Sequence, residues 1–178
     1  FTFFNSYNLI SNLIIISSLF LIIHSIKDFI LNSKMKSYFN FSSFLSHLGF
    51  GILIFFIILN HNFSKEYDLN IKVVVTKKIV DMKIKFKDLK IEKRENYNVI
   101  IGNFNIFDYK KNYKKKLNPE IRVYDNPQTL TFESAIKTNF KQDLYLTMSN
   151  IDGSDFYNVK FQIKPFMLWI WFAAFLTA

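Results

Sequence analysis

The sequence has no cysteine, and only four glycines and three prolines in 178 residues. Disulfides, zinc–thiolate sites and thiol nucleophiles are therefore excluded. So little glycine and proline also excludes a linker, a collagen-like chain or a Pro-rich disordered segment. There is no Gly-rich phosphate loop, no metalloprotease motif and no GxSxG. The aromatics and lysines follow no RNP-like pattern, so nucleic acid is not an expected partner. No repeat is present, and the only low-complexity block is the short basic run Lys110–Lys116. What the chain does have is apolar bulk: half its residues are hydrophobic, and 22 are Phe. Abundant Phe, Ile, Asn and Lys is the mark of an A+T-rich coding sequence. That bias discounts the net charge of +9 as a partner signal, although a basic surface favours anionic lipid or an acidic partner.

Two long apolar stretches open the chain. The first runs from about Leu9 to Leu31 and is interrupted by serines, His24, Lys27 and Asp28; the second, Phe41–Leu59, carries no formal charge. A membrane-spanning helix needs about 20 mostly apolar residues. Neither stretch reads as a signal peptide, because the first lacks a basic n-region and a small-residue cleavage site. The loop between them carries Lys27, Lys34 and Lys36 against Asp28, and short basic loops stay on the cytoplasmic or matrix side. Phe1 and everything after His61 are then expected on the outer side. The chain starts at Phe1 rather than Met and stops inside an apolar run, so a fragment of a longer protein is expected.

From Asn62 to Lys164 apolar residues alternate with polar ones: Ile71, Val73, Val75; Val80, Met82, Ile84, Phe86; Phe104, Ile106; Ile121, Val123; Leu130, Phe132; Leu144, Leu146; and Phe156, Val159, Phe161, Ile163, with a slip after Phe156. A period of two predicts half-buried strands, and this many short strands predicts a small barrel or sandwich. Asp152-Gly153 reads as a turn before the last strand. Pro165 ends that strand, and Phe166–Ala178, led by Trp169 and Trp171, reads as the outer part of a third spanning helix. The expected fold is an α+β membrane protein in which transmembrane helices flank an extracytoplasmic all-β domain. Its expected divisions are 1–40 (first helix and inner loop), 41–61 (second helix), 62–164 (β domain) and 165–178 (start of a further helix).

Of the three histidines, His61 reads as an interface residue and His24 as a residue hydrogen-bonded to a neighbouring helix, or a ligand or proton site. His47 lies inside the cleanest apolar run, and an ionisable residue there is a functional candidate. It sits about 9 Å from Phe41 along the helix and about 18 Å from Leu59, which puts it in the inner half of the membrane. Gly51 follows one turn later and Gly49 is close by. Missing side chains there leave room for something flat and bulky or for another helix backbone. A neutral imidazole is a good haem-iron ligand; a hydrogen-bonded packing histidine is the alternative. In the outer region Glu120 and Arg122 share a strand face as a surface ion pair of small value.

Six stretches, in order, resemble the C-terminal part of the CcmF family of cytochrome c haem lyase components: SHLGFGI at Ser46–Ile52, FSKEYDLNIK at Phe63–Lys72, PEIRVYDN at Pro119–Asn126, FESAI at Phe132–Ile136, QDLYLTM at Gln142–Met148 and KPFMLWIW at Lys164–Trp171. Ile121, Gln142 and Leu168 depart from the family, which often has basic residues at those positions. The stretch before Phe41 matches only in hydropathy.

The resemblance implies that a haem chaperone delivers haem, which is presented to the Cys-x-x-Cys-His thiols of apocytochrome c. It implies a second, resident haem b in the membrane that keeps the transferable haem iron reduced, with His47 as one axial ligand to that iron. The other ligand, and the outer loop holding the transferable haem, lie outside this chain, so the ligation reaction is not expected from it alone and no residue here is assigned a catalytic role. Gly49 and Gly51 would make room for haem or a helix, and Ser43 or Ser46 would fix the second nitrogen of His47. Glu120, Arg122, Tyr124, Asp143 and Tyr145 match family motifs and are expected to make structural or partner contacts. Expected partners are haem, the haem chaperone, apocytochrome c, other cytochrome c maturation subunits and membrane lipid. The expected location is the bacterial inner or mitochondrial inner membrane, with the β domain on the periplasmic or intermembrane side. A non-catalytic membrane-anchored β domain, serving assembly or interaction, is the competing reading. A transporter fragment would need further intramembrane polar residues, and the second helix offers none between His47 and Asn60.

Overall fold

A computed structural model of the chain describes residues 7–35, 40–79, 82–108 and 113–178. Lys36, Val80 and residues 110–112 of the basic run lie outside the described residues. Two compact units form: residues 65–138 with 143–163 make a β unit, and the remainder, including the short segment 139–142, makes a helical unit.

The helical unit contains α1 (Tyr7–Met35), α2 (Phe41–Phe63) and α3 (Met167–Thr177). α1 and α2 are long and apolar enough to cross a membrane. Asn40 caps α2 by accepting from the Ser43 amide, and Ser64 closes its other end, its amide donating to the Asn60 carbonyl at 2.9 Å. Both contacts satisfy terminal backbone groups that the helix leaves unpaired.

α1 and α2 run antiparallel. Ser11 donates to Asn62 near one end, Ile22 meets Gly51 in the middle, and Phe29 stacks on Phe44 at 4.6 Å near the other end. The buried stripe of α1 is Ser11, Ser18 and Ser25, spaced by seven. These serines, which the hydropathy pattern treats as interruptions, are the residues that let the backbones approach. Ser18 and Ser25 donate to the carbonyls of Ile15 and Leu21, each at 2.8 Å, so their hydroxyls need no water.

At the start of α3, Phe166 adopts a left-handed conformation with φ of 62°. The corner is held from two sides. The Phe166 amide and the Trp169 indole N–H donate to the carbonyls of Lys141 and Phe140, and the Asn60 amide group donates to the Pro165 carbonyl at 2.5 Å.

The β unit is a sandwich. One sheet has the order β1 (Lys65–Lys72), β10 (Phe156–Pro165), β9 (Gln142–Asn150) and β8 (Ala135–Thr138). The other has the order β2 (Thr76–Ile79), β3 (Met82–Lys93), β4 (Tyr97–Asp108), β6 (Glu120–Asp125) and β7 (Gln128–Glu133), with β5 (Tyr113–Leu117) also paired to β4. Ile71, Leu144, Leu146, Met148, Val159 and Phe161 from the first sheet face Ile84, Phe86, Phe104, Ile106, Leu117 and Ile121 from the second. Gly102 permits this closeness, since a Cβ there would stand 2.7 Å from the Phe104 ring and 2.8 Å from the Met148 sulfur.

The alternating pattern needs three adjustments. Ile71, Val73 and Val75 do not share a strand, because β1 ends at Lys72 and Val74 turns the chain with φ of 71°. The slip after Phe156 is no bulge: pairing of β1 with β10 is continuous, Phe156 points outward, and Tyr157 takes the inward position, edge-on to Phe86. Leu130 and Phe132 do alternate, but on the edge strand β7, where both remain largely exposed. Asp152 and Gly153 form a turn, with Gly153 at φ of 71°.

Candidate functional site

His47 lies two turns into α2. Its Nδ1 is 2.6 Å from the carbonyl oxygen of Ser43, one turn back, and 3.3 Å from the Ser43 hydroxyl. With the proton on Nδ1, the ring donates to that carbonyl and Nε2 keeps its lone pair. Among the described residues Nε2 has no hydrogen-bond partner. Ser43, rather than Ser46, is the residue that fixes the ring, and it does so mainly through its backbone.

Three faces of α2 are distinguishable. Gly49 and Phe56 face α3, where Phe56 stacks on Trp169 at 5.7 Å. Gly51 and Phe44 face α1. Ser43, His47, Phe50 and Ile57 occupy the remaining arc and are exposed. Both glycines are filled by neighbouring helices: a Cβ on Gly49 would meet Leu176, and one on Gly51 would meet Ile22. Of the two uses the sequence offers for these glycines, this arrangement is helix packing.

His24 and His61 stand apart from this arrangement. His24 pairs with Asp28 one turn along α1, Nδ1 to Oδ2 3.0 Å, and both are exposed. His61 is exposed in the last turn of α2.

The outer residues fall into two clusters. Glu120, Arg122 and Tyr124 do come together, and the sheet adds Arg94, Tyr97 and Glu133. Tyr97 pairs with Tyr124 across β4 and β6, with ring centroids 5.0 Å apart. Arg122 grips Glu120 through Nε and Nη2 at 2.9 and 2.8 Å, and its Nη1 lies 3.8 Å from Glu133. Its guanidinium lies 5.3 Å from the Tyr97 ring centre, within cation–π range. Arg94 approaches from the end of β3, donating to the Tyr97 hydroxyl at 2.9 Å and lying 3.6 Å from Glu120. Hydrogen bonds to Glu120 and Tyr124 push the Arg122 guanidinium further up from its already high value. Instead of an isolated surface pair, Glu120 is a mostly buried carboxylate between two arginines, at 19% side-chain exposure. Sequence distance hid Arg94, Tyr97 and Glu133; only the strand register joins them to the motif.

Asp143 and Tyr145 form the second cluster, on β9. Asp143 is 5% exposed and its Oδ1 has no hydrogen-bond partner. Burial, and then the Asp143 carboxylate, raise the Tyr145 phenol above its ordinary value.

A family model described as the CcmF C-terminal beta-sandwich matches residues 62–165, more than half of the chain. The chain belongs to the CcmF family. Among curated members, the cytochrome c-type biogenesis protein CcmF of Pseudomonas aeruginosa is 27% identical over 132 residues, which is 74% of this chain and 20% of that protein. The Haemophilus influenzae protein is 27% identical over 154 residues, covering 85% and 23%. The Escherichia coli protein is 26% identical, covering 75% and 20%. The chain thus spans about a fifth of the length of these relatives. A solved structure titled Cytochrome c Heme Lyase CcmF superposes with a TM-score of 0.70 over 95% of this chain and 32% of its own, at 10% identity. That likeness establishes the fold: a β-sandwich together with apolar helices long enough to cross a membrane, the α+β class the sequence implies.

Proposed function

We propose that this chain is the C-terminal part of a membrane haem lyase component for cytochrome c maturation, and that His47 is an axial ligand of a b-type haem held in the membrane. The observation that carries this reading is the state of His47. Its Nδ1 is held by the Ser43 carbonyl, while its Nε2 has no hydrogen-bond partner among the described residues and the residue is exposed, on an arc of α2 apart from the contacts with α1 and α3. An iron-ligating histidine needs this: one nitrogen fixed in tautomer and direction, the other free to donate its lone pair. Phe50 and Ile57 on the same arc offer apolar surface suited to a porphyrin edge.

Haem b, when bound, supplies reversible one-electron chemistry at its iron. The residues of this chain orient the imidazole, with Nδ1–H donating to the Ser43 carbonyl, and place Phe50 and Ile57 on the same arc. Gly49 and Gly51 set the positions of α3 and α1 against α2, so their contribution to the haem is through helix placement. The second axial ligand comes from elsewhere in the assembled protein. The β-sandwich stands on the periplasmic or intermembrane side of an inner membrane. There the Glu120–Arg122–Tyr124 cluster and the Asp143–Tyr145 pair brace the haem-handling region or receive apocytochrome c, the haem chaperone or another maturation subunit.

The test is an absorption spectrum of the complete, detergent-purified protein, wild type beside His47→Ala, with and without dithionite. A low-spin b-type signal that is lost or turned high-spin in the variant supports the assignment. An unchanged spectrum at equal folded protein removes the ligand role and leaves a membrane-anchored β-sandwich whose task is interaction or assembly.

A further inference from the structure

We propose that the outer face of the six-stranded sheet carries a binding pocket for a phosphate group, at the β-bulge of β3. Pairing between β3 and β4 shifts register between Phe86 and Asp88, which leaves Lys87 as the extra residue. Bulges re-aim side chains, and they concentrate beside functional sites. Here the bulge helps shape a cavity of about 210 Å³ lined by Lys87, Asp88, Lys90, Asn103, Asn105, Lys116 and Asn118, with Phe104 beneath.

Three features make this a built site for an oxyanion. First, the lining holds three ammonium groups against one carboxylate, a local excess of positive charge. Second, the side-chain amides are fixed in direction. Asn103 donates to Asp88, and Asn118 donates to the Asn103 carbonyl oxygen. Each of those Nδ2 groups retains a second N–H. Third, Asn105 is a polar side chain only 8% exposed. It lies on β4 between Lys85 of β3 and Lys116 of β5, and among the described residues its amide has no hydrogen-bond partner. The amide is not closed off from solvent; it reaches the pocket it lines, where a ligand could take its N–H groups. Fixed N–H donors and lysine ammonium groups together are the equipment for binding phosphate. The phosphate could be free in solution or belong to an anionic lipid headgroup, and the chemistry of the pocket is the same for both.

The test uses the full chain in uncharged detergent, titrated calorimetrically with inorganic phosphate and, separately, with short-chain phosphatidylglycerol, with short-chain phosphatidylcholine as the zwitterionic control. Variants are Lys87→Ala/Lys116→Ala, Asn105→Ala and, outside the pocket, Lys137→Ala. Lys87 and Lys116 are exposed, so the double variant keeps its fold, checked by circular dichroism. The expected result is saturable binding that weakens at least tenfold in the double variant and in Asn105→Ala, and is unchanged in Lys137→Ala. Binding of inorganic phosphate identifies a free anion as the ligand; binding of phosphatidylglycerol alone identifies a lipid headgroup. Absence of saturable binding in both titrations, or equal binding by all variants, overturns the proposal.

Discussion

Gly49 of α2 is packed against Leu176 of α3 so closely that a Cβ on the glycine would stand 2.8 Å from the leucine Cβ and 3.0 Å from its carbonyl carbon. The obstacle includes backbone, which cannot rotate away. At Gly51 the nearest atom is the Ile22 Cγ1 at 2.9 Å, a side-chain atom, and the backbone atoms of Ile22 and Ser18 stand further off at 3.4 Å. Gly49→Ala is therefore expected to weaken packing of α2 on α3 by about 1–3 kcal/mol, the usual range for overfilling a tight contact, and Gly51→Ala by less. Unfolding midpoints of the two variants in one detergent check the order. Equal losses would mean that α3 yields as easily as Ile22.

Ser43 reaches His47 with two oxygens, and the shorter contact is the backbone one, 2.6 Å against 3.3 Å. Ser43→Ala removes the hydroxyl and keeps the carbonyl. The expected outcome in the complete protein is a haem spectrum indistinguishable from wild type, whereas His47→Ala changes it. A Ser43→Ala spectrum that turned high-spin would transfer the orienting role from backbone to hydroxyl.

Arg122 binds Glu120 through two nitrogens while lying near the Tyr97 ring. Lysine can replace the charge but neither the fork nor the planar contact. Arg122→Lys is expected to lower β-unit stability by about 1 kcal/mol, the upper end for partly exposed ion pairs. Arg122→Ala is expected to cost more, because Glu120 is then left in its mostly buried position with Arg94 alone. Chemical denaturation of both variants beside wild type reads the difference; identical midpoints for all three would return this cluster to the status of a surface pair.

How far the sequence reveals the fold follows from which signals are local. The spanning-length helices and most strands are legible because apolar periodicity is a property of neighbours in the chain. The serine stripe of α1 is not, because Ser11, Ser18 and Ser25 lower the local hydropathy while their value lies in letting a second backbone come close. The turn at Val74 breaks an alternating run that a β-branched residue would ordinarily extend. His47 stands out as a candidate because a lone histidine in an apolar helix is costly. Its partner, Ser43 or Ser46, depends on the ring direction, which the local sequence does not encode. The roles of Gly49 and Gly51 depend on which helix lies against each, and nothing near them in the chain encodes that. The same holds for Arg94, Tyr97 and Glu133, which strand register alone brings to Arg122.

Asp143 and Tyr145 allow a prediction with a pH axis. The Tyr145 phenol is raised above its ordinary value of 10.0, by burial first and then by the Asp143 carboxylate. A group whose folded value is raised contributes stability that is complete below its unfolded value and is lost as pH rises through the folded one. The β unit should therefore lose stability above about pH 10, and Tyr145→Phe should flatten that part of the profile. The Tyr145 phenol also hydrogen-bonds to the Asp143 carboxylate, so at neutral pH the same substitution should destabilise by removing a donor from a buried carboxylate whose Oδ1 already lacks a partner; about 1–3 kcal/mol is the usual cost of such an orphaned group. Replacing both residues with apolar ones, Asp143→Leu/Tyr145→Phe, should recover most of that loss, since no buried acceptor then remains unpaired. Denaturation midpoints at neutral and alkaline pH for wild type, each single variant and the double variant give the coupling directly. Strictly additive single effects would mean that phenol and carboxylate act independently and that the raised phenol reflects burial alone.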